Sequence, residues 1–102
     1  MTVLIEQKMA AAVPMSMIEA VTDEMKVETS PPEGMISHVH YEKDGHVHIV
    51  DVWDSADAHQ RFVESRLMPA MGKVAAEHGF DIEAAGPPET VVTEVKRGFG
   101  RA

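Results

Sequence analysis

Histidines are the side chains in this sequence best suited to acid–base chemistry near neutral pH. Four of the six histidines form two His-x-His pairs, His38 with His40 and His46 with His48. An imidazole changes its charge near neutral pH, so it can act as a general base or bind a metal ion. The chain has no cysteine, which excludes thiolate nucleophiles, zinc–thiolate sites and disulfides.

The spacing within each pair suits metal binding, because residues two apart on a β-strand point to the same face. The two pairs are predicted to lie on the strands of one hairpin, since Asp44-Gly45 between them is a strong two-residue turn signal. Such a turn pairs Lys43 with His46 and sends the two pairs to opposite faces. No metal site is therefore predicted, although a bulge in the hairpin would bring all four histidines to one face.

His38 and His59 are the predicted catalytic residues. His38 lies mid-strand on the hairpin face assigned to Ile36 and Trp53, and His59 lies on the inward stripe of the following helix. Each could act as a general base, but for each the favoured interpretation is a half-buried core histidine that is hydrogen-bonded to a neighbour. The other three hairpin histidines are predicted to be exposed near the strand tips.

Four further side chains are predicted to contact a small-molecule substrate: Trp53, Phe62, Met71 and Asp51. Trp53 is expected to be a core anchor, a wall of the pocket, or both. Asp51 lies two residues before Trp53 and on the same face. Its carboxylate could orient a histidine, but an ion pair with Arg61 or Arg66 is favoured.

Hydrophobic periodicity and turn residues predict the element order βαββαβ. The predicted elements are a strand at Thr2–Met9, a helix from Pro14 to about Val27, the hairpin within Met35–Trp53, a helix at Ala56–His78 and a strand at Thr90–Val95. Pro69 should kink or split the second helix near Met68, and Phe80–Ala85 is predicted to be extended. This order predicts an α+β, ferredoxin-like fold, with a four-stranded antiparallel sheet and two helices on one face. Residues 1 to 102 are expected to form one domain.

Both faces of the hairpin are half apolar, with Val39, Val50 and Val52 on one face and Ile36, Ile49 and Trp53 on the other. An antiparallel sheet that is covered on one side normally presents a polar outer face. The sequence predicts no third helix to cover the second face. A second copy of the chain is therefore expected to cover it, which gives a homodimer through the sheet face.

Several of these features together resemble the antibiotic-biosynthesis monooxygenase-like family of the dimeric α/β-barrel superfamily. They are the βαββαβ order, Gly34 before the first hairpin strand, and the run from Val50 to Ser55 followed by Ala58 and Phe62. The resemblance implies a dimeric α/β barrel with a ligand pocket between sheet and helices in each subunit. Some members are cofactor-free oxygenases of polycyclic phenols, some cleave haem, and others are isomerases or have no known activity. Such proteins more usually have phenylalanine at the position of His59, so the pocket is expected to differ here.

The composition argues against several classes of partner. A net charge of −8 disfavours nucleic acid, whose binding needs clustered lysines and arginines. No apolar run approaches the roughly 20 residues of a membrane span, so no membrane partner and a cytoplasmic location are expected. No glycine-rich nucleotide-binding motif occurs, and no cofactor is predicted. The eight methionines could line an adaptable pocket, but a role in the core is favoured.

Three hypotheses follow. In the first, the chain is a cofactor-independent monooxygenase-like or isomerase-like enzyme for an apolar, aromatic small molecule. His38 or His59 then abstracts a phenolic or enolic proton, and the anion reacts with oxygen. In the second, the chain is a non-catalytic small-molecule-binding or stress-associated homodimer. The third is a haem-binding or haem-degrading variant, which the acidic charge disfavours. An apolar cavity of roughly 300 Å³ or more beside His38 or His59 would favour a ligand site.

Overall fold

One four-stranded antiparallel sheet organises the fold. The structure, a computed structural model, describes residues 1 to 98. The sequence predicts a tail from Lys96 to Ala102, and residues 99 to 102 of it lie outside the described residues. The elements are β1 Val3–Lys8, α1 Met15–Met25, β2 Met35–Lys43, β3 His46–Trp53, α2 Ala56–Phe62, α3 Met68–His78, α4 Ile82–Ala85 and β4 Glu89–Glu94. The strand order is β2-β3-β1-β4, and every neighbouring pair is antiparallel. The predicted ferredoxin-like α+β fold is confirmed.

The hairpin of β2 and β3 has the predicted register. Lys43 pairs with His46 across the turn, where Asp44 and Gly45 both have positive φ angles of 53° and 79°. A turn with two positive φ angles matches the twist of the strands, which is why Asp-Gly is favoured there. The two His-x-His pairs therefore point to opposite faces of the sheet.

The far end of the hairpin differs from the prediction. Met35 pairs with Trp53 and Ser37 with Val52, so Ile36 is an extra residue in a β-bulge. Ile36 is 59% exposed, and its predicted place on the inner face is wrong. The bulge shifts the alternation by one residue, so Met35 takes the inner position opposite Trp53.

The segment predicted as one long helix is divided by a π-helical turn, Val63–Leu67, between α2 and α3. The N–H of Met68 donates to the carbonyl of Val63, five residues earlier. Pro69 lacks an N–H and cannot continue the α-helical pattern, so the predicted split near Met68 is confirmed. Ser55 caps α2 by accepting a hydrogen bond from the Ala58 N–H over 3.1 Å.

The extended piece predicted at Phe80–Ala85 is wrong, because Ile82–Ala85 forms the short helix α4. Asp81 caps this helix through a hydrogen bond of 3.1 Å from the Ala84 N–H to its Oδ1. An aspartate at the N-cap accepts a hydrogen bond from a backbone N–H of the first turn, and this stabilises even a single helical turn. No helix within residues 1 to 98 is long and apolar enough to cross a membrane.

Two groups of buried hydrophobic side chains lie on the helical side of the sheet. The first joins the sheet to α2 and consists of Val3, Ile5, Trp53, Ala58 and Phe62. The second joins α1 to α3 and consists of Met17, Val21, Ala70, Val74 and Ala75. Burial of these side chains attaches each helix to its neighbour.

Gly34 brings the entry of β2 against the start of α2. Its φ angle is +89°, and a Cβ at this position would lie 2.6 Å from both the Ala58 Cβ and the Asp54 Oδ1. The Gly34 carbonyl also accepts a hydrogen bond of 2.8 Å from the Asp54 N–H. Glycine meets both the conformational and the steric demand. The contact fixes the point at which β3 leads into α2.

Candidate active site

An apolar cavity of about 280 Å³ lies between the sheet and the helices. Its volume is just below the roughly 300 Å³ at which small-molecule pockets begin. Strands β1, β2 and β3 form one wall, and helices α1, α2 and α3 contribute to the other. Within residues 1 to 98, three ionisable side chains line it: His38, Asp51 and His59. The two predicted catalytic histidines thus border the same cavity.

Methionines form much of the cavity wall. Six of the eight line it: Met9, Met17, Met25, Met35, Met68 and Met71. Met17 is also buried in the core, and Met25 and Met71 pack against the buried side chains that join α1 to α3. The core role and the pocket role therefore coincide for these residues. The unbranched, polarisable thioether suits a wall that adapts to apolar ligands of different shape.

Asp51 is the buried carboxylate of the cavity wall. Its Oδ1 lies 2.6 Å from the Nδ1 of His38, and its Oδ2 accepts a hydrogen bond of 3.3 Å from the Trp53 Nε1–H. His38 and Asp51 are direct partners in the pairing of β2 with β3, which brings the two side chains together. The favoured ion pair of Asp51 with Arg61 or Arg66 is wrong. Arg66 instead donates to backbone carbonyls near the end of α1.

A second contact extends from His38 to the surface of the molecule. The Nε2 of His38 lies 2.8 Å from the Nδ1 of His40, and the Nε2 of His40 lies 2.6 Å from the Oε1 of Glu19 on α1. His40 was expected to be an exposed strand-tip residue, but its side chain is only 16% exposed. Glu19, whose side chain is 54% exposed, lies over it on the solvent side. Both ring nitrogens of His38 contact protein partners, so neither is free to take a proton directly from a ligand.

His59 offers a contrasting environment. Its ring packs edge-on against Trp53, with 5.4 Å between ring centroids. No side-chain hydrogen bond engages its ring within residues 1 to 98, so its nitrogens are free to meet a ligand. Burial lowers the pKa of His59 below its usual value, and the nearby Asp51 charge opposes this only in part. The imidazole is therefore neutral at pH 7 and able to accept a proton.

Three of the four predicted substrate contacts line the cavity, and one does not. Phe62, Met71 and Asp51 line the cavity, whereas Trp53 does not. Trp53 is 0% exposed and lies in the core, where it packs against Phe62 and donates to Asp51. Of its two expected roles, the structure assigns it the core anchor that positions Asp51 and His59.

The other hairpin histidines lie on the opposite face of the sheet. His46 Nδ1 lies 2.9 Å from the backbone carbonyl of Met9, and the ring of His48 stacks on Tyr41 at 5.0 Å. Among the described residues, no group of three or more histidine, aspartate or glutamate side chains has the arrangement needed to hold a metal ion. A bulge near the turn would have brought the four histidines to one face, but the bulge in this hairpin lies at the opposite end, at Ile36.

The structure resembles several solved structures along almost its entire length. A protein from Chloroflexus aurantiacus, provisionally named an antibiotic biosynthesis monooxygenase, is 21% identical with a TM-score of 0.66, and the match covers 98% of each chain. A mutant form of SnoaB, a cofactor-independent oxygenase from Streptomyces nogalater, is 16% identical with a TM-score of 0.63, again over 98% of each chain. A protein of unknown function from Nitrosomonas europaea is 10% identical with a TM-score of 0.70, over 99% of this chain and 95% of that one.

This chain has the antibiotic-biosynthesis monooxygenase fold. The resemblance seen in the sequence is confirmed at the level of fold. No protein-family model matches the sequence, and no curated protein sequence matches it. At identities of 10 to 21% the shared feature is the architecture, so the chemistry must be argued from the cavity itself.

Proposed function

We propose that the chain is a cofactor-independent oxygenase that acts on a neutral, apolar, aromatic molecule with one acidic hydrogen. The observation that carries the proposal is the free, neutral imidazole of His59 in an apolar cavity. The cavity holds one buried carboxylate and, within residues 1 to 98, no lysine or arginine. An anionic ligand would meet the Asp51 charge without a basic partner, which favours a neutral ligand.

The proposed reaction begins with proton transfer from the substrate to a ring nitrogen of His59. Loss of a phenolic or enolic proton leaves an oxyanion whose negative charge is shared with a carbon atom, which gives that carbon carbanion character, and the apolar wall excludes water that would otherwise return a proton. Oxygen then bonds to this carbon. For a CH₂ group the balanced outcome is one ketone and one water, with the four electrons of the oxidation taken by O₂. The protein supplies the base and the dry site, while the substrate supplies the electrons.

Replacement of His59 tests this proposal. Oxygen uptake is measured with a panel of neutral polycyclic phenols, and turnover by the His59→Gln variant is expected to fall by about a hundredfold or more, as for loss of a general base. His78→Gln is the matched control, because His78 lies exposed at the end of α3 and away from the cavity. Unchanged turnover in His59→Gln would rule out His59 as the base.

Binding without oxygen uptake would favour the alternative of a non-catalytic small-molecule-binding or stress-associated protein. A ligand that raises the melting temperature of wild-type protein by mass action would reveal such binding. Haem is disfavoured as that ligand, since its propionates need basic partners and none lines the cavity in the part of the chain described here. The phenols are therefore the first ligands to test for binding.

We also propose that the chain forms a homodimer through the outer face of its sheet. Val39 pairs with Val50, Val50 with Glu6, and Glu6 with Val91, so these residues form one row across all four strands. Val39 and Val91 are 56% and 57% exposed, although valine usually lies inside a fold. Three of the four residues in this row are valines, and apolar side chains on an open sheet face favour contact with a second sheet.

A further inference from the structure

Four side chains form a continuous chain from the cavity to the protein surface. In order they are Asp51, His38, His40 and Glu19, and the three contacts between them measure 2.6, 2.8 and 2.6 Å. Asp51 lines the cavity and its side chain is 7% exposed, whereas the Glu19 side chain is 54% exposed. The chain therefore begins in a buried site and ends in solvent.

The three contacts fix the number of protons in the chain. Each contact joins two lone-pair-bearing atoms and is a hydrogen bond only if it holds one proton. Two neutral imidazoles carry one N–H proton each, which is enough for two of the three contacts. The third contact is a hydrogen bond only if one imidazole or one carboxylate carries an additional proton. Without the third proton, two lone pairs would face each other across one of these short distances. The geometry is that of a chain in which each of the three contacts can hold one proton.

We propose that Asp51, His38, His40 and Glu19 form a proton relay between the cavity and solvent. The proton that His59 takes from the substrate passes to the neighbouring Asp51, and one proton moves from Asp51 Oδ1 to His38 Nδ1. The next moves from His38 Nε2 to His40 Nδ1, and the last from His40 Nε2 to Glu19 Oε1. Glu19 then releases one proton to water, so one proton enters and one leaves.

The relay deepens the proposed function and rests on it for its catalytic purpose. A proton that stays beside a new carbanion returns to it rapidly, and reaction with oxygen then competes poorly. Passing the proton from the cavity to Glu19 preserves the carbanion until oxygen adds, and the same path returns a proton when water forms. His38 then acts as a positioning and transfer residue, while His59 contacts the substrate.

The charged groups around the relay come from four elements. His38 and His40 lie on β2, Asp51 on β3 and Glu19 on α1, and His59 on α2 is close enough to feel the Asp51 charge. Asp23 lies on α1 as well but makes no side-chain hydrogen bond or ion pair within residues 1 to 98. Asp23→Asn therefore removes the same charge from the same helix without touching the relay.

Nuclear magnetic resonance of protein with ¹⁵N-labelled histidine tests the relay without any substrate. The shared proton should give a low-field resonance coupled to nitrogens of two different histidine rings, and His40→Gln should abolish it. Asp23→Asn should leave it unchanged. Two rings that titrate independently, with no nitrogen–nitrogen coupling, would overturn the relay.

Oxygen uptake by a Glu19→Gln variant tests proton transfer itself. Glutamine can still accept the hydrogen bond from His40 but takes up no proton, so turnover in weak buffer should fall by about tenfold. Added imidazole buffer should restore it, and Asp23→Asn should match wild type. A loss that buffer does not restore would show that Glu19 only supports α1, which overturns the relay. Absence of uptake by wild-type protein would overturn the proposed function, and the nitrogen coupling would still decide the relay.

Discussion

Three ionisable side chains line the cavity in residues 1 to 98, and two of them are hydrogen-bonded to other protein groups. Only the His59 ring makes no such hydrogen bond within this part of the chain. His38 has both nitrogens engaged, and Asp51 has both oxygens engaged. A general base must reach the proton that it removes, so the proposed reaction uses His59 as the base. The other two serve best as transfer and orienting groups.

The lowered pKa of His59 has a consequence for stability. Because the folded state binds a proton at His59 less readily than the unfolded chain does, stability rises with pH through the window between the folded pKa and about 6.5. The contribution is fully present above about pH 6.5 and is lost as pH falls through that window. Wild type should therefore lose more stability on acidification than His59→Gln, which carries no titratable ring.

Urea unfolding at about pH 8 and about pH 5.5 measures this difference. His78→Gln serves as control, since His78 is exposed and packs against no part of the cavity. Equal losses of stability in wild type and His59→Gln would show that His59 is protonated as easily in the folded protein as in the unfolded chain.

Sequence reasoning identified His38, His59 and Asp51 because strand alternation and helix periodicity place residues on faces. It missed His40 and Glu19 as partners, although His40 shares the face of His38 two residues away. The contact of His40 with Glu19 joins two elements across 21 residues of sequence. It depends on where α1 crosses the sheet, which local patterns do not specify.

At the scale of elements, the entry of β2 shows how a single residue sets the position of a strand. Gly34 has a positive φ and leaves no room for a Cβ against Ala58 and Asp54. Gly34→Ala should therefore destabilise the fold by about 1 to 3 kcal/mol, from backbone strain and the clash together. Thermal or urea unfolding measures the change.

Gly72 provides the matched control for this substitution. It lies within α3, where an added Cβ would meet no atom within 4 Å. Alanine is the better helix former, so Gly72→Ala should stabilise by about 0.5 to 1 kcal/mol. Opposite signs for the two variants are expected, and a neutral Gly34→Ala would show that the β3–α2 junction tolerates displacement.

The elements themselves followed from the sequence where local chemistry decides them. The Asp44-Gly45 turn set the hairpin register, and Pro69 marked the division of the second helix. The bulge at Ile36 was missed because an apolar residue in an apolar strand gives no sign of slipping out of the alternation. The helix at Ile82–Ala85 was missed because one capped turn has almost no periodicity.

At the scale of the whole molecule, the fold leaves its cavity and its apolar outer row on opposite faces of one sheet. The core lies on the helical side, and the valines of the row have no cover within residues 1 to 98. The alternation of residues in the hairpin predicted the apolar outer face, because both faces of the hairpin contain apolar side chains and exposing them to water is unfavourable. It could not anticipate the cavity, which depends on how far the helices stand from the sheet.

Substitution of Val39 tests whether the outer face joins two chains. A glutamate at position 39 would place a charge at the β2 end of the row, beside Val50 and two strands from Glu6. Burying an unpaired charge is costly, so Val39→Glu should shift the mass by light scattering from twice 11.2 kDa toward 11.2 kDa. Ala76→Glu, at an exposed position of α3, should keep the wild-type mass. A wild-type mass of 11.2 kDa at high concentration would exclude the dimer, because the outer row would then be solvated in the native protein.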